Sequence, residues 1–379
     1  MAARVEAARA LELADRAQFR PTLRFATAPA ETPDSRSAYL QSGIEAAWPL
    51  GLFGRAAGAT DASAADTRLA QTAAELLRTK IVADTVRSYI ERRTASLAAS
   101  DLDAQIATQA ERTELTRDRV RLRLSGPRDL DAEEAHLGEL KLRRLALDRT
   151  IAEERERLGL LIASADAYPL AAATSDPVSI ATPRLQSVPA DLLRSRPDVR
   201  HAEQEALKAA ADLHIAKADL YPQLTLSGSL TLSLPVAGTA RGSANALATV
   251  APSIDIPLFD WGRRRAIVTA TDHLLEAALI AYRDSILRGV HEVEVAFGSL
   301  ESLNQDAELR RQAWRRAERI DANTASAVHL GRISRLDALA RTLDRLEAHA
   351  SLGDAERSRA LAFVSLCEAL GGSYPRTPT

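Results

Sequence analysis

The chain has 379 residues, 49 basic and 51 acidic, and is 46% apolar, 26% charged and only 4% aromatic. No run of 18 apolar residues occurs, and the charge content excludes a polytopic helical membrane protein. The even charge balance argues against a nucleic-acid binder, and the single Cys367 excludes an internal disulfide or a multi-thiolate metal site.

Met1 to Arg16 carries Glu6, Glu12 and Asp15 and has neither the apolar core nor the cleavage site of a secretory signal, so it reads as the end of a helix. A β-hairpin is predicted at about 22–48: Leu23 and Phe25 alternate with Thr22, Arg24 and Ala26, and Leu40, Ile44, Ala46 and Trp48 with Gln41, Gly43 and Glu45. Its loop holds Pro29, Glu31, Pro33 and Asp34. From about 54 to 125 there is no proline, and roughly 70 helical residues would reach about 100 Å, too long for a globular domain. Ser125-Gly126-Pro127-Arg128 breaks it, and a return helix follows at about 129–162. There Leu130, Leu137, Ile151 and Leu158 share one seven-residue lattice and Leu140, Leu147 and Leu161 another, which is coiled-coil spacing. Residues 163–197, with Pro169, Pro177, Pro183, Pro189 and Pro197, read as an irregular connector.

The second half, 198–372, repeats the first. Pro222 matches Pro21 at an offset of 201; Pro257-Leu258-Phe259-Asp260-Trp261-Gly262-Arg263 matches Pro49 to Arg55 at 208; Arg335-Leu336-Asp337-Ala338 matches Asp129-Leu130-Asp131-Ala132 at 206. The chain is therefore a tandem duplication of a large supersecondary unit. The second copy predicts a helix, a hairpin at about 223–257, a long helix at about 262–330, a break at Leu330-Gly331-Arg332-Ile333-Ser334, a return helix at about 334–370 and a tail at 373–379. The first-copy tip is expected to be one residue shorter than the second.

The second hairpin is the clearest pattern. Leu224, Leu226, Leu230, Leu232 and Leu234 alternate with Thr225, Ser227, Ser229, Thr231 and Ser233; on the return strand Val250, Ile254 and Ile256 oppose Thr249, Ser253 and Asp255. Strands of this length, apolar on one face and small-polar on the other, fit a transmembrane β-barrel. Leu224, Leu226, Leu230, Leu232, Val250, Ile254 and Ile256 would meet lipid, and Thr225, Ser227, Ser229, Thr231 and Ser253 the lumen. Aromatics cluster near the strand ends, where interfacial girdles sit. Four strands cannot close, and an open edge in lipid is costly, so three copies giving about 12 strands is the natural assembly, with the helices forming a hollow aqueous bundle. A soluble coiled-coil scaffold with a small β-tip is the alternative.

Val188-Pro189-Ala190-Asp191-Leu192-Leu193-Arg194-Ser195-Arg196-Pro197-Asp198-Val199-Arg200 resembles the opening of the second repeat in TolC-like outer-membrane efflux factors of the NodT type. The stretches 216–222, 257–263 and 330–337 and the close Ala369-Leu370-Gly371-Gly372 resemble the same family. The resemblance implies a mainly α chain with a small β part, assembled as a homotrimeric duct in the outer membrane of a Gram-negative cell. It implies a periplasmic adaptor and an inner-membrane pump of the resistance-nodulation-division type as partners, and no catalysis, cofactor or metal. Family members begin with a signal peptide, often a lipidated cysteine, and a leading helix; the counterpart of Pro197 would fall five residues before Met1, so the chain is expected to be truncated, started late or processed at its N-terminus.

The family's adaptor-contact motif maps onto Val328, Leu330, Gly331 and Ser334, with Gly126 at the other tip. Asp131 and Asp337, just after the tips, would gather six carboxylates at the periplasmic mouth of a trimer. Ala340 stands where the family has a further Asp, and Val328 where it has a gate Tyr. Each Asp alone also suits a helix N-terminus. Enzyme signals are poor: Glu133 and His136 form one Glu-x-x-His, a di-iron bundle needs two, and His291-Glu292 lacks a second His.

Overall fold

A computed structural model describes residues 1–32, 37–164, 196–237 and 245–372. Most of the expected connector, both hairpin tips and the 373–379 tail lie outside the described residues. In chain order the elements are α1 (Ala2–Ala17), β1 (Thr22–Thr32), β2 (Ser37–Pro49), α2 (Arg55–Arg121), α3 (Pro127–Leu161), α4 (Pro197–Ala218), β3 (Gln223–Ala237), β4 (Asn245–Asp255), α5 (Arg263–His329) and α6 (Arg335–Ala369).

The long and return helices repeat in length: α2 and α5 have 67 residues each, α3 and α6 have 35 each. Backbone handedness repeats too. Phe53 and Trp261, Gly54 and Gly262, Arg123 and Gly331, and Ala163 and Gly371 all have positive φ, each pair 208 positions apart. The hairpin registers coincide when β1 is shifted by 201 and β2 by 208, since Thr22 faces Ala47 and Gln223 faces Asp255. The seven-residue difference between the copies therefore falls between the two strands of the hairpin.

Contacts divide the chain into two units that cut across the repeats: Met1–Leu76 with Pro197–Leu287, and Leu77–Arg196 with Arg288–Thr379. The first unit holds α1, α4, the four strands and the leading parts of α2 and α5. There α2 buries small residues such as Ser63, Ala65 and Thr67, the last donating to Ala8 O of α1, and α4 comes close at Gly58. A Cβ on Gly58 would stand 3.0 Å from the Ile215 side chain. Arg55–Asp219, Lys208–Asp66 and Arg200–Glu75 pair along the same contact.

The second unit is packed around α6. Phe363, Leu366 and Leu370 meet Val293 and Leu300 of α5, while Ala360 and Val364 meet Ala83 and Ile90 of α2. These positions recur at three- and four-residue steps, the two faces of one helix wedged between neighbours. On α3 only Leu140 and Leu158 of the two leucine lattices are buried, and Leu142, Leu145 and Leu160 are exposed.

One ion pair in this unit makes stability pH-dependent. His349 Nδ1 lies 2.8 Å from Asp101 and its ring tilts against Trp314 at 5.4 Å between centroids. The Asp101 hydrogen bond raises the histidine pKa above its ordinary value, against burial and Arg345, with Glu318 adding to the rise. The folded state thus holds the proton more tightly than the unfolded chain. The stabilisation is complete below the ordinary histidine range and is lost as pH rises through the folded pKa. Melting temperature should fall between about pH 6 and pH 8, and the fall should be smaller in His349→Gln. Identical pH profiles for both proteins would assign the slope to other groups.

Candidate functional site: the strand faces and the helix tips

The four strands form one antiparallel sheet in the order β1-β2-β3-β4, the two hairpins joined through β2 and β3. Cross-strand register determines which side chains share a face. Leu226 faces Trp48 and Pro252, Leu230 faces Ile44 and Ala248, and Gly228 faces Ala46 and Val250. Ile44 in turn faces Phe25, and Ala46 faces Leu23. One face is thus mainly apolar across the four strands, with Thr27 and Ser42 as a hydroxyl pair on it, and most of its large residues are open, from Leu234 at 38% exposure to Val250 at 79%, while Leu40 and Leu224 are half-buried. Leu224, Leu226, Leu230, Leu232, Val250 and Ile254 all lie on it, and Ile256 follows with the same parity, just past the end of β4.

Thr225, Ser227, Ser229, Thr231 and Ser253 share the other face. Ser229 and Thr249 hydroxyls meet at 2.6 Å, and Arg24 pairs with Glu45. Leu247, opposite Thr231, is an apolar exception on this face. At the helix-proximal end Phe53 stacks on Tyr221 with centroids 5.0 Å apart, Trp48 Nε1 donates to Phe19 O at 2.9 Å, and Leu258, Phe259 and Trp261 are almost bare.

The helix tips differ from the sequence expectation in register. Both connections span five residues, 122–126 and 330–334, so the first tip is not shorter. In the second, Gly331 (φ 65) donates to Val328 O and Arg332 to Ala327 O, both at 2.9 Å, a Schellman ending. In the first, Arg123 (φ 56) donates to Val120 O and Leu124 to Arg119 O. The partner of Gly331 is therefore Arg123. Gly126 is the N-cap of α3 and matches Ser334, the N-cap of α6. The early turn also explains why the helix expected to reach 125 stops at Arg121.

The carboxylates shift in the same way. Asp337 sits three residues after its cap: its N–H donates to Ser334 Oγ at 3.1 Å, and Ser334 Oγ donates to its carboxylate at 2.7 Å. Asp129 holds the matching place in α3 and accepts from Gly126 N–H at 3.0 Å. Asp131 lies two residues farther along and is exposed. The repeated Leu-Asp-Ala string had suggested Asp131 as the partner of Asp337; the capping geometry gives Asp129. Leu122 and Leu330, 208 apart, are exposed at 68% and 66%, a matched pair of apolar tip residues that the sequence reading passed over in the first copy.

A non-glycine residue in the left-handed region is strained, and nothing lies within 4 Å of a Cβ at Gly331. Arg123→Gly should stabilise the protein by about 1 kcal/mol and Gly331→Ala should destabilise it by about as much. Thermal unfolding of the two variants checks this; equal shifts of one sign would contradict it.

Glu133 of the Glu-x-x-His accepts from Gln109 Nε2 at 2.7 Å and pairs with Arg112, which ties α3 to α2. Among the described residues no group of three or more His, Cys, Asp or Glu could hold a metal, and no helix is long and apolar enough to cross a membrane.

The outer membrane efflux protein family model matches residues 188–372. Nodulation protein T of Rhizobium leguminosarum bv. viciae is 29% identical over 85% of the chain, which spans 65% of that relative's length. Outer membrane protein OprJ of Pseudomonas aeruginosa is 26% identical over 86% of the chain and 68% of its own length. Among solved structures, the outer-membrane channel OprN superposes with a TM-score of 0.83 over 98% of this chain and 86% of that one, at 24% identity. CusC gives 0.83 over 98% and 88%, at 19% identity. The outer membrane efflux protein family model thus covers the second repeat, NodT-type relatives are similar over most of the chain, and the fold is that of the solved outer-membrane channels.

Proposed function

We propose that the chain is the outer-membrane channel-tunnel of a tripartite efflux system, a passive exit duct for small molecules and not an enzyme. The observation that carries this is the sheet: an apolar face left open on all four strands, a polar face behind it, and outer strands β1 and β4 each paired on one side only. In lipid such a sheet closes only with further copies, and three give about 12 strands. Leu224, Leu226, Leu230, Leu232, Val250, Ile254 and Ile256 then face lipid, and Thr225, Ser227, Ser229, Thr231 and Ser253 the lumen. The names of relatives point the same way and differ in cargo: pyoverdine export for OpmQ, cation efflux for CusC, solvent efflux for SrpC.

The tips are the docking points for a periplasmic adaptor, itself joined to an inner-membrane pump. Val328, Leu330, Gly331 and Ser334 form one, and Leu122, Arg123 and Gly126 the other; open leucines at both offer apolar contact. Asp131 and Asp337 lie at the periplasmic mouth and raise local cation concentration there. Replacing both by Asn should lower cation preference in single-channel recordings. Unchanged selectivity would leave them as helix-start residues.

Expression in a Gram-negative host behind a functional export signal, followed by membrane fractionation, light scattering in detergent and bilayer recording, tests the main reading. The expected result is an outer-membrane trimer with conductance. A folded, soluble monomer would sink it.

A further inference from the structure

Two matched helices have different surroundings. Helix α4 buries seven residues, among them Val199, Ala211 and Leu213, whereas α1, its counterpart in the first repeat, buries none and leaves Leu11 and Leu13 exposed. The strands show the same imbalance, since β2 and β3 are paired on both sides while β1 and β4 are open. The junction between repeats inside the chain is β2 with β3 and α2 with α4. The same surfaces recur, unmated, as β4 and α5 at one edge and β1 and α1 at the other.

We infer that the β4 edge of one copy pairs with the β1 edge of a second copy in the register of the internal junction, and that this seam is broken by facing prolines. The inference rests on the proposed assembly and adds its register. Shifting β2 by 208 and β3 by 201 carries the internal pairs across. Trp48–Leu226 becomes Ile256 with Phe25 of the second copy, Ala46–Gly228 becomes Ile254 with Thr27, and Ile44–Leu230 becomes Pro252 with Pro29.

Every transferred pair keeps apolar-face residues together. Leu50 N–H donates to Leu224 O at 3.0 Å, which sets which residues of β2 bond toward β3. By alternation, Pro29 and Pro252 both stand where their strands bond outward. Neither has an N–H to give, so the ladder holds from the helix-proximal end up to Ile254–Thr27 and then fails. The internal junction has no such proline pair.

Side chains outside the sheet fit the same transfer. Gly58 against Ile215 becomes Ala266 against Ala14, a small–large contact replaced by two small residues. Phe53 on Tyr221 becomes Trp261 beside Arg20 of the second copy, an indole face for a guanidinium. That would cover Trp261, 91% exposed in the single chain.

Cysteine pairs in the full chain, held as its detergent assembly, test the register. The internal pair Ala47–Ser227 transfers to Asp255 with Ala26, a non-bonded site whose Cα separation of about 4.5 Å suits a disulfide. Within one chain these residues lie on opposite edges of a four-stranded sheet, so a bond must join two copies. Asp255→Cys with Ala26→Cys should cross-link on mild oxidation into covalent oligomers. Asp255→Cys with Ala28→Cys, two residues out of register, should not. Cys367 stays in place in single-cysteine controls, its thiol pushed up to about 11 by burial.

For the break, Pro29→Thr with Pro252→Thr should raise the temperature at which the assembly dissociates in SDS. An assembled protein that cross-links only in the shifted pair, or in neither, overturns the register alone. A dissociation temperature unchanged or lowered overturns the break. A chain that stays monomeric by light scattering overturns both the seam and the assembly on which it rests.

Discussion

Arginine at Leu230 should destabilise the assembled protein by about 2–4 kcal/mol, the cost of a cation near mid-bilayer on the face proposed to meet lipid. Leu230 lies between Ile44 and Ala248 on the apolar face and is 54% exposed in the single chain. Its neighbour Ser229 points to the other face, where its hydroxyl meets Thr249 at 2.6 Å. Ser229→Arg should lose that one hydrogen bond, worth about 1 kcal/mol, and act mainly on conductance by placing a cation in the lumen. The two substitutions are adjacent in sequence, introduce the same side chain and share one strand, so the strand's tolerance of arginine is common to both. Denaturant or thermal dissociation of the proposed trimer measures the first effect and bilayer recording the second. Equal losses of stability at both sites would mean that neither face meets lipid.

Strands and helices were legible because their periods are clean. Five leucines between 224 and 234 fall on alternate positions, which no helix could put on one side, and neither long helical stretch contains a proline. The duplication was legible as well, yet its offset was misread at the tips. The Leu-Asp-Ala string aligned Asp131 with Asp337, and Gly126 looked like the turn residue because glycine usually takes the left-handed position. In the first repeat that position is Arg123, whose side chain gives no sequence signal of φ 56. The 208 spacing between Pro49 and Pro257 would have located it, since a rigid helix carries one offset along its whole length. The β2–β3 junction was not legible either: two hairpins predict two local pairings, and the third depends on how the repeats meet. The leucine lattice on α3 signals coiled-coil packing but not its extent: a heptad row needs a partner, and one chain buries only Leu140 and Leu158.

Arg196 illustrates a role that a motif string conceals. Within the stretch matched to the family it is one of three arginines among seven residues, 194–200, and nothing in the spacing marks it. In the structure its side chain is 6% exposed, and its guanidinium donates to Ala369 O at 2.5 Å, to Gly289 O at 3.3 Å and to Glu292 at 2.6 Å. A Cβ on Gly289 would stand 3.2 Å from its Nε, so glycine there makes room for the cation. The Ala369 carbonyl belongs to the last turn of α6, where the helix leaves C=O groups without internal partners. Arg196 thus supplies donors to a helix end and ties α6 to α5. Arg196→Met keeps much of the apolar stem but strands the Ala369 carbonyl at the end of α6, at about 1–3 kcal/mol for a buried acceptor without a donor, while the Gly289 carbonyl keeps its bond inside α5. The expected loss is about 2–4 kcal/mol. Glu292→Gln should cost less than about 1 kcal/mol, because that carboxylate is 54% exposed and the guanidinium keeps its carbonyl acceptors. Denaturant unfolding of the two variants separates the readings. If Glu292→Gln is the more damaging, the arginine acts through its surface ion pair, and its role as a cap for the end of α6 is wrong.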